Sequence, residues 1–325
     1  MGKASRYFSP VGTHGHKWYP QDIASLLGLP YIGNIYYVDP TNGNDSNSGS
    51  TVNSAVKTVT IAYGKTTNFH HDVVLMVPGG TAGTAETAEL AWSNSYTHLL
   101  GNTAPTNVSQ RSRVLFTTAA TSPGLNISGN GCIFSNVQVA SFVDSNILVT
   151  LSGERNYFSN VHFAGIGDAT AGDDTAARCL YINDGDENVF DGCMFGLDTI
   201  MRSAANATVE MAGGVQRNSF RDCTFQMASD ATTPVHILST GASGLDRWQR
   251  FHNCLFTNFT TNDSAEPAAV FDISAQTGTA HIYLTGDTQL VDIDNWEGTA
   301  SSKLHITAYT ATTNAAGKTI NPVVD

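Results

Sequence analysis

Three cysteines occupy the same position in a recurring phrase of the 325-residue sequence: ENVFDGCMF (187–195), RNSFRDCTF (217–225) and RWQRFHNCLF (247–256). Thiols at Cys193, Cys223 and Cys254 invite a metal or redox role, but such sites are built on CxxC-type spacing, and these residues stand 30 and 31 apart with no histidine in register. With phenylalanine on either side, an inert interior ladder is the better reading, since free cysteine is among the most buried residue types.

Carboxylates between the phrases are the second candidates: Asp168, Asp173, Asp174, Asp198, Asp230, Asp263 and Glu266. Two of them facing each other across ~5–9.5 Å could hydrolyse a glycosidic bond, and Asp168, Asp198 and Asp230 are the weak alternative to no catalytic residue at all. No motif fixes a pair, and aromatic platforms for a sugar are scarce: the loops hold only Phe259, with Trp248 and Trp296 elsewhere. Solvated loop carboxylates are therefore the preferred reading. In NDGDEN (183–188), Asp184, Asp186 and Glu187 offer calcium-type oxygen ligands. No basic residue for lyase chemistry stands in that phrase, which favours a tight acidic turn. His14 with His16, and His70 with His71, lack a further ligand at metal spacing. No GxSxG elbow anchors a Ser/His/Asp site. Neither a metal nor a cofactor is expected.

The elements that must carry these residues come from the repeat itself. Aligned on their first phenylalanine, the phrases give Phe134, Phe158, Phe190, Phe220 and Phe251, at spacings of 24, 32, 30 and 31 residues. Two places on stand Asn136, Asn160, Gly192, Asp222 and Asn253, types that tolerate the left-handed conformation of a sharp turn. Upstream of the phrases lie short alternating runs: ILVTL (147–151), LYI (180–182), TVEM (208–211), PVHIL (234–238) and AVFDI (269–273). Each repeat thus supplies about three short strands, too short to form a sheet alone but suited to stacking on the next repeat. The expected fold is all-β, a parallel β-solenoid.

This pattern resembles the right-handed parallel β-helix of pectate-lyase-like proteins and many phage tailspikes. The resemblance covers roughly residues 72–290 and implies three strands per coil, with Asn160 at the turn between the second, NYF (156–158), and the third, VHF (161–163). Residues 35–71 resemble the segment that leads into such solenoids, with a helix near Ser54 expected to cap the open end, because a bare end exposes unpaired strand edges. Residues 291–325 lose the phrase and are expected to form a C-terminal β cap or assembly segment.

Composition bounds the partners. Charged residues are only 14% of the chain, and 30 glycines accompany abundant Thr, Ser and Asn, which suits an ordered, turn-rich β protein. The net charge of −12 argues against nucleic-acid binding. It is unevenly spread: residues 1–34 carry Lys3, Arg6 and Lys17 against Asp22, a net of +2, which leaves −14 for the rest. No apolar run approaches the roughly 18 residues of a membrane span. The start has neither a signal-peptide core nor a good myristoylation pattern, so synthesis in a host cytoplasm is expected.

Residues 1–34 fall outside the repeat and are broken by Pro10, Pro20 and Pro30. Their Tyr7, Phe8, Trp18, Tyr19, Leu26 and Leu27 are best buried against another chain, which makes this segment a candidate attachment arm. Together with the family resemblance, the arm leads to the expectation of a non-enzymatic bacteriophage virion protein. It would be a homotrimeric capsid decoration or cement protein bound to the major capsid protein or another virion protein. The alternative is a tailspike or tail fibre that binds or hydrolyses a host surface glycan.

Overall fold

The computed structural model describes residues 33–261, 265–298 and 302–306. Runs of two to six residues are extended and then broken at residues with positive φ, so the chain coils rather than folding into hairpins. From His98 to Glu297 each coil gives one strand to each of three sheets. In the coil containing ILVTL these are Ile147–Leu151, Tyr157–Ser159 and His162–Ala164. Among the described residues the first sheet has eight strands, the second ten and the third seven. Neighbouring strands are parallel and in register, as in Phe134↔Phe158↔Phe190↔Phe220↔Phe251 along the second sheet. The fold is a parallel β-helix, with two short α-helices among the described residues, Val59–Tyr63 and Ala169–Gly172.

Register makes the interior. Phe158, Phe190, Phe220 and Phe251 stack on Phe134 and on one another with ring centroids 5.0, 4.7, 4.6 and 4.7 Å apart. These distances match the strand spacing of about 4.8 Å, so the coil repeat sets the ring stacking. Phe163, Phe195, Phe225 and Phe256 form a second column at 4.9, 4.7 and 4.6 Å. The two columns meet edge to face, Phe190 and Phe195 at 5.7 Å and 65°, the geometry that the ring quadrupole favours. At the N-terminal end Tyr63 lies on Trp92 (4.4 Å), which meets Phe134 at 5.2 Å. The Val59–Tyr63 helix thereby continues the aromatic column. Its first turn is closed by buried Glu86, which accepts from the Val59 N–H (2.8 Å) and the Thr60 hydroxyl (2.5 Å).

Both corners around the second sheet use the left-handed region. Asn136, Asn160, Gly192, Asp222 and Asn253, all with φ between 51° and 60°, turn the chain from the second sheet to the third. Side chains tie some of them together: Asn160 Nδ2 donates to Asn136 Oδ1 (2.9 Å), and Asn253 Nδ2 to Asp222 Oδ1 (3.1 Å). At the other corner Tyr96, Arg155, Glu187, Arg217 and Arg247 have φ of 53–57°. Here the residue types do not favour the conformation, and the backbone bonds impose it: Arg155, Glu187 and Arg217 each donate their N–H to a carbonyl of the next coil, at Asp186, Gln216 and Trp248.

Next to that corner runs a buried amide ladder. Asn156, Asn188, Asn218 and Gln249 stand two places before successive phenylalanines and are at most 1% exposed. Each side-chain oxygen accepts the N–H of the equivalent residue one coil earlier: Asn156 from Cys132, Asn188 from Asn156, Asn218 from Asn188, Gln249 from Asn218. Each side-chain nitrogen donates to a carbonyl of the preceding coil, at Gly129, Gly153, Gly185 and Val215.

Both ends extend the coils beyond the repeated phrase. Ile35–Val38 is already the first strand of the second sheet, paired with Val73–Met76. Past residue 290, where the phrase is lost, Asn295–Glu297 joins the first sheet and Leu304–Ile306 the second, both parallel to the preceding coil. Residues 307–325 lie outside the described residues.

Candidate functional surface

The long loops all leave the third sheet toward the first, and their carboxylates are held by neighbouring loop atoms. Asp168 caps the Ala169–Gly172 helix, accepting the Thr170 N–H (2.8 Å). Asp173 accepts the Ser203 hydroxyl of the next coil, and Asp174 the Ala176 N–H (2.8 Å). Asp230 takes the Thr260 hydroxyl (2.5 Å) and the Thr261 N–H (2.7 Å). Asp198 is exposed and Glu266 half-buried, while Asp263 lies outside the described residues. Asp168, Asp173, Asp174 and Asp230 are thus loop-closing groups. In NDGDEN, Asp186 binds Gln216 through both carboxylate oxygens, and Glu187 pairs with Arg155 (2.7 Å) and Arg217 (2.8 Å).

The thiols of Cys193, Cys223 and Cys254 lie buried at 3.4–3.6 Å from the carbonyls of Phe158, Phe190 and Phe220, one coil earlier. Burial, with Cys193 and Cys254 on either side, pushes the Cys223 thiol well above its ordinary value, opposite to what a reactive thiol needs. Cys132, pushed up to about 11 by burial, and Cys179 are also buried and free. Among the described residues no three His, Cys, Asp or Glu side chains cluster as metal ligands, and no helix is long and apolar enough to cross a membrane.

His70 Nδ1 lies 2.7 Å from fully buried Asp72, whose carboxylate also accepts the N–H groups of Asn34 (2.6 Å) and Thr67 (2.7 Å). With Gly33 donating to the His71 carbonyl, these bonds fix Gly33 and Asn34 beside the helix-capped end of the solenoid. The arm residues Tyr7, Phe8, Trp18, Tyr19, Leu26 and Leu27, and His14 and His16, lie outside the described residues. His71 Nδ1 sits 3.3 Å from His98 Nε2, and His98 Nδ1 accepts the Ile133 N–H. Burial and then the nearby His71 push His98 down to about 3, against the opposing pull of Asp72. A buried guanidinium, Arg202, has as side-chain acceptors the Thr208 hydroxyl (3.0 Å) and the sulfurs of Met227 and Cys179.

The same flank carries apolar side chains that the sequence does not group. Phe142, Met201, Phe259 and Val291 are 47%, 39%, 57% and 47% exposed. Phe142 directly follows the strand Gln138–Ser141, Met201 bridges to Ala228, Phe259 is in register with Ala228, and Val291 is in register with Thr257. Hydrophobicity alone could not single these out, because loops of unequal length separate them. Ile166, on the same flank, holds φ at 54°, strained for a β-branched residue.

No protein-family model and no curated protein sequence matches the chain. Solved structures similar to it include a pectate lyase, with 14% identity over 87% of this chain and 82% of that one and a TM-score of 0.49. A pectin methylesterase from Aspergillus niger has 13% identity over 86% and 92%, with a TM-score of 0.48. A protein of Geobacillus virus E2 (ORF18) has 15% identity over 84% of this chain but only 50% of its own length, with a TM-score of 0.48. None of these likenesses carries a functional argument.

Proposed function

We propose that the chain is a structural protein of a bacteriophage virion. In this reading it is a capsid decoration or cement protein, held to a major capsid protein or another virion protein through residues 1–34. The observation that supports this most is the use made of the loop carboxylates: Asp168, Asp173, Asp174 and Asp230 close loops, as a scaffold would use them. Gly33 and Asn34 sit at the helix-capped end of the solenoid, which suits a tether through residues 1–34. The ten strands of the second sheet make nine steps of about 4.8 Å, a rod of roughly 43 Å. The bacteriophage assignment itself rests on the sequence's resemblance to β-helix proteins of phage particles.

Deleting residues 2–34 tests the reading. The shortened protein is expected to keep its β-sheet circular dichroism and to lose co-sedimentation with capsids that bind the full chain; retained co-sedimentation refutes it. The indole of Trp248, 37% exposed, favours a second reading as a glycan-binding tailspike. Release of reducing ends from host polysaccharide, lost in Asp168→Asn, Asp198→Asn or Asp230→Asn, would replace the first reading with that one.

A further inference from the structure

The corner column that holds Arg155, Glu187 and Arg217 begins with two aromatic residues. Phe69 and Tyr96 have φ of 61° and 53° and donate their N–H groups to carbonyls of the next coil, at Ser95 and Asn130, as the charged members do further along. The charged members pair with one another across the coils, whereas Phe69 and Tyr96 are 65% and 41% exposed. Their ring centroids are 5.8 Å apart, and half-buried His71 stacks on Tyr96 at 5.1 Å, so the patch is continuous. Phe69 and Tyr96 together leave on the order of 200 Å² of largely apolar surface open.

The patch lies where the described residues begin. Gly33 donates its N–H to the His71 carbonyl (2.9 Å), and the Asn34 N–H goes to Asp72 (2.6 Å). The sequence ahead of Gly33 is of two kinds. Residues 1–20 carry Lys3, Arg6 and Lys17 and no acidic residue, whereas residues 21–32, QDIASLLGLPYI, are mostly apolar, with Asp22 as their one charge. We infer that residues 21–32 fold back onto the patch of Phe69, Tyr96 and His71 on their own solenoid, leaving residues 1–20 as the part of the arm that reaches a partner. The reach is sufficient. Leu26 to Ile32 can span up to about 24 Å, and Phe69 is about 7 Å of chain from His71. The tether also selects the occupant, because a short linker holds its segment at an effective concentration in the millimolar range, which a free partner must exceed. Of the two stretches, the apolar one gains by leaving water against aromatic rings. The inference concerns the isolated chain and holds whatever residues 1–20 bind.

Hydrogen exchange of the full chain, read by mass spectrometry, tests it. A helix or loop of this length is marginal in water by itself, so slow exchange at residues 23–32 reports docking. Exchange there is expected to be at least tenfold slower than in Phe69→Ser with Tyr96→Ser. It should be unchanged on dilution of the protein and in Phe259→Ser, on an exposed aromatic elsewhere. Should the patch variant fold poorly, Leu26→Ser with Leu27→Ser, outside the coils, is expected to release residues 28–32 by the same factor. Exchange at the rate of an unstructured peptide in the wild-type chain overturns the inference. So does protection that falls on dilution, which would put the segment on another copy, or protection that survives in a folded patch variant or in the Leu26, Leu27 variant.

Discussion

Replacing Asn188 with alanine removes one rung of the buried amide ladder, and the cost can be worked out bond by bond. The Asn188 side chain accepts the Asn156 N–H at 2.8 Å and donates to the Gly153 carbonyl at 3.0 Å. Both partners are buried, so water cannot replace what is lost. A buried donor or acceptor left unsatisfied costs about 1–3 kcal/mol, so two together cost roughly 4 kcal/mol. Asn188→Asp separates the two bonds: it keeps an acceptor for the Asn156 N–H but turns a carboxylate toward the Gly153 carbonyl. That carboxyl's folded pKa must lie above its unfolded value, so the aspartate variant should be most stable in acid and lose stability as pH rises through the folded pKa. Equilibrium urea unfolding gives the free energies, and hydrogen exchange at the Asn156 amide reports the local bond. A loss below about 1 kcal/mol in Asn188→Ala, with the Asn156 amide still protected, would refute the reasoning.

Other substitutions probe other columns. Gly192 breaks the side-chain ties at the left-handed corner; its φ is 60°, and an added Cβ would meet nothing within 4 Å. Asn160 Oδ1 is buried there without a hydrogen-bond partner. Gly192→Asn is therefore expected to raise stability by about 1 kcal/mol in urea titration. His98 stays neutral when folded, down to about 3, whereas an unfolded histidine protonates near its ordinary value of about 6.5. Its contribution is complete above pH 6.5 and is lost as pH falls toward 3, to a limit of about 5 kcal/mol. His98→Gln should flatten that part of the stability–pH curve. Arg202→Met exchanges a buried guanidinium for an apolar chain of similar length, and thermal unfolding should show it neutral or up to about 4 kcal/mol more stable.

How much of this was legible in the sequence depends on whether a residue type betrays its place. Asn136, Asn160, Gly192, Asp222 and Asn253 mark the left-handed corner because those types tolerate positive φ. Arg155, Glu187 and Arg217 do not mark theirs, because bonds to the neighbouring coil impose the conformation. The amide ladder stood two places before Phe158, Phe190, Phe220 and Phe251, but a buried asparagine reads like a turn asparagine until its partners are seen. The strands outside 72–290 were hidden because Ile35–Val38 and Leu304–Ile306 carry no phenylalanine, and in Asn295–Glu297 Trp296 fills the interior in its place. The apolar flank was illegible for a different reason: the unequal loops that separate Phe142, Met201 and Phe259 align them only once the coils stack.

On the proposed reading, the solenoid stands on a virion surface, anchored at its N-terminal end. Electron cryomicroscopy of particles carrying this chain tests it most directly. The expected result is a rod of roughly 43 Å projecting outward, with the Val59–Tyr63 helix nearest the shell and the strand Leu304–Ile306 farthest from it. A rod attached by its Leu304–Ile306 end, or one lying flat along the shell, would contradict it.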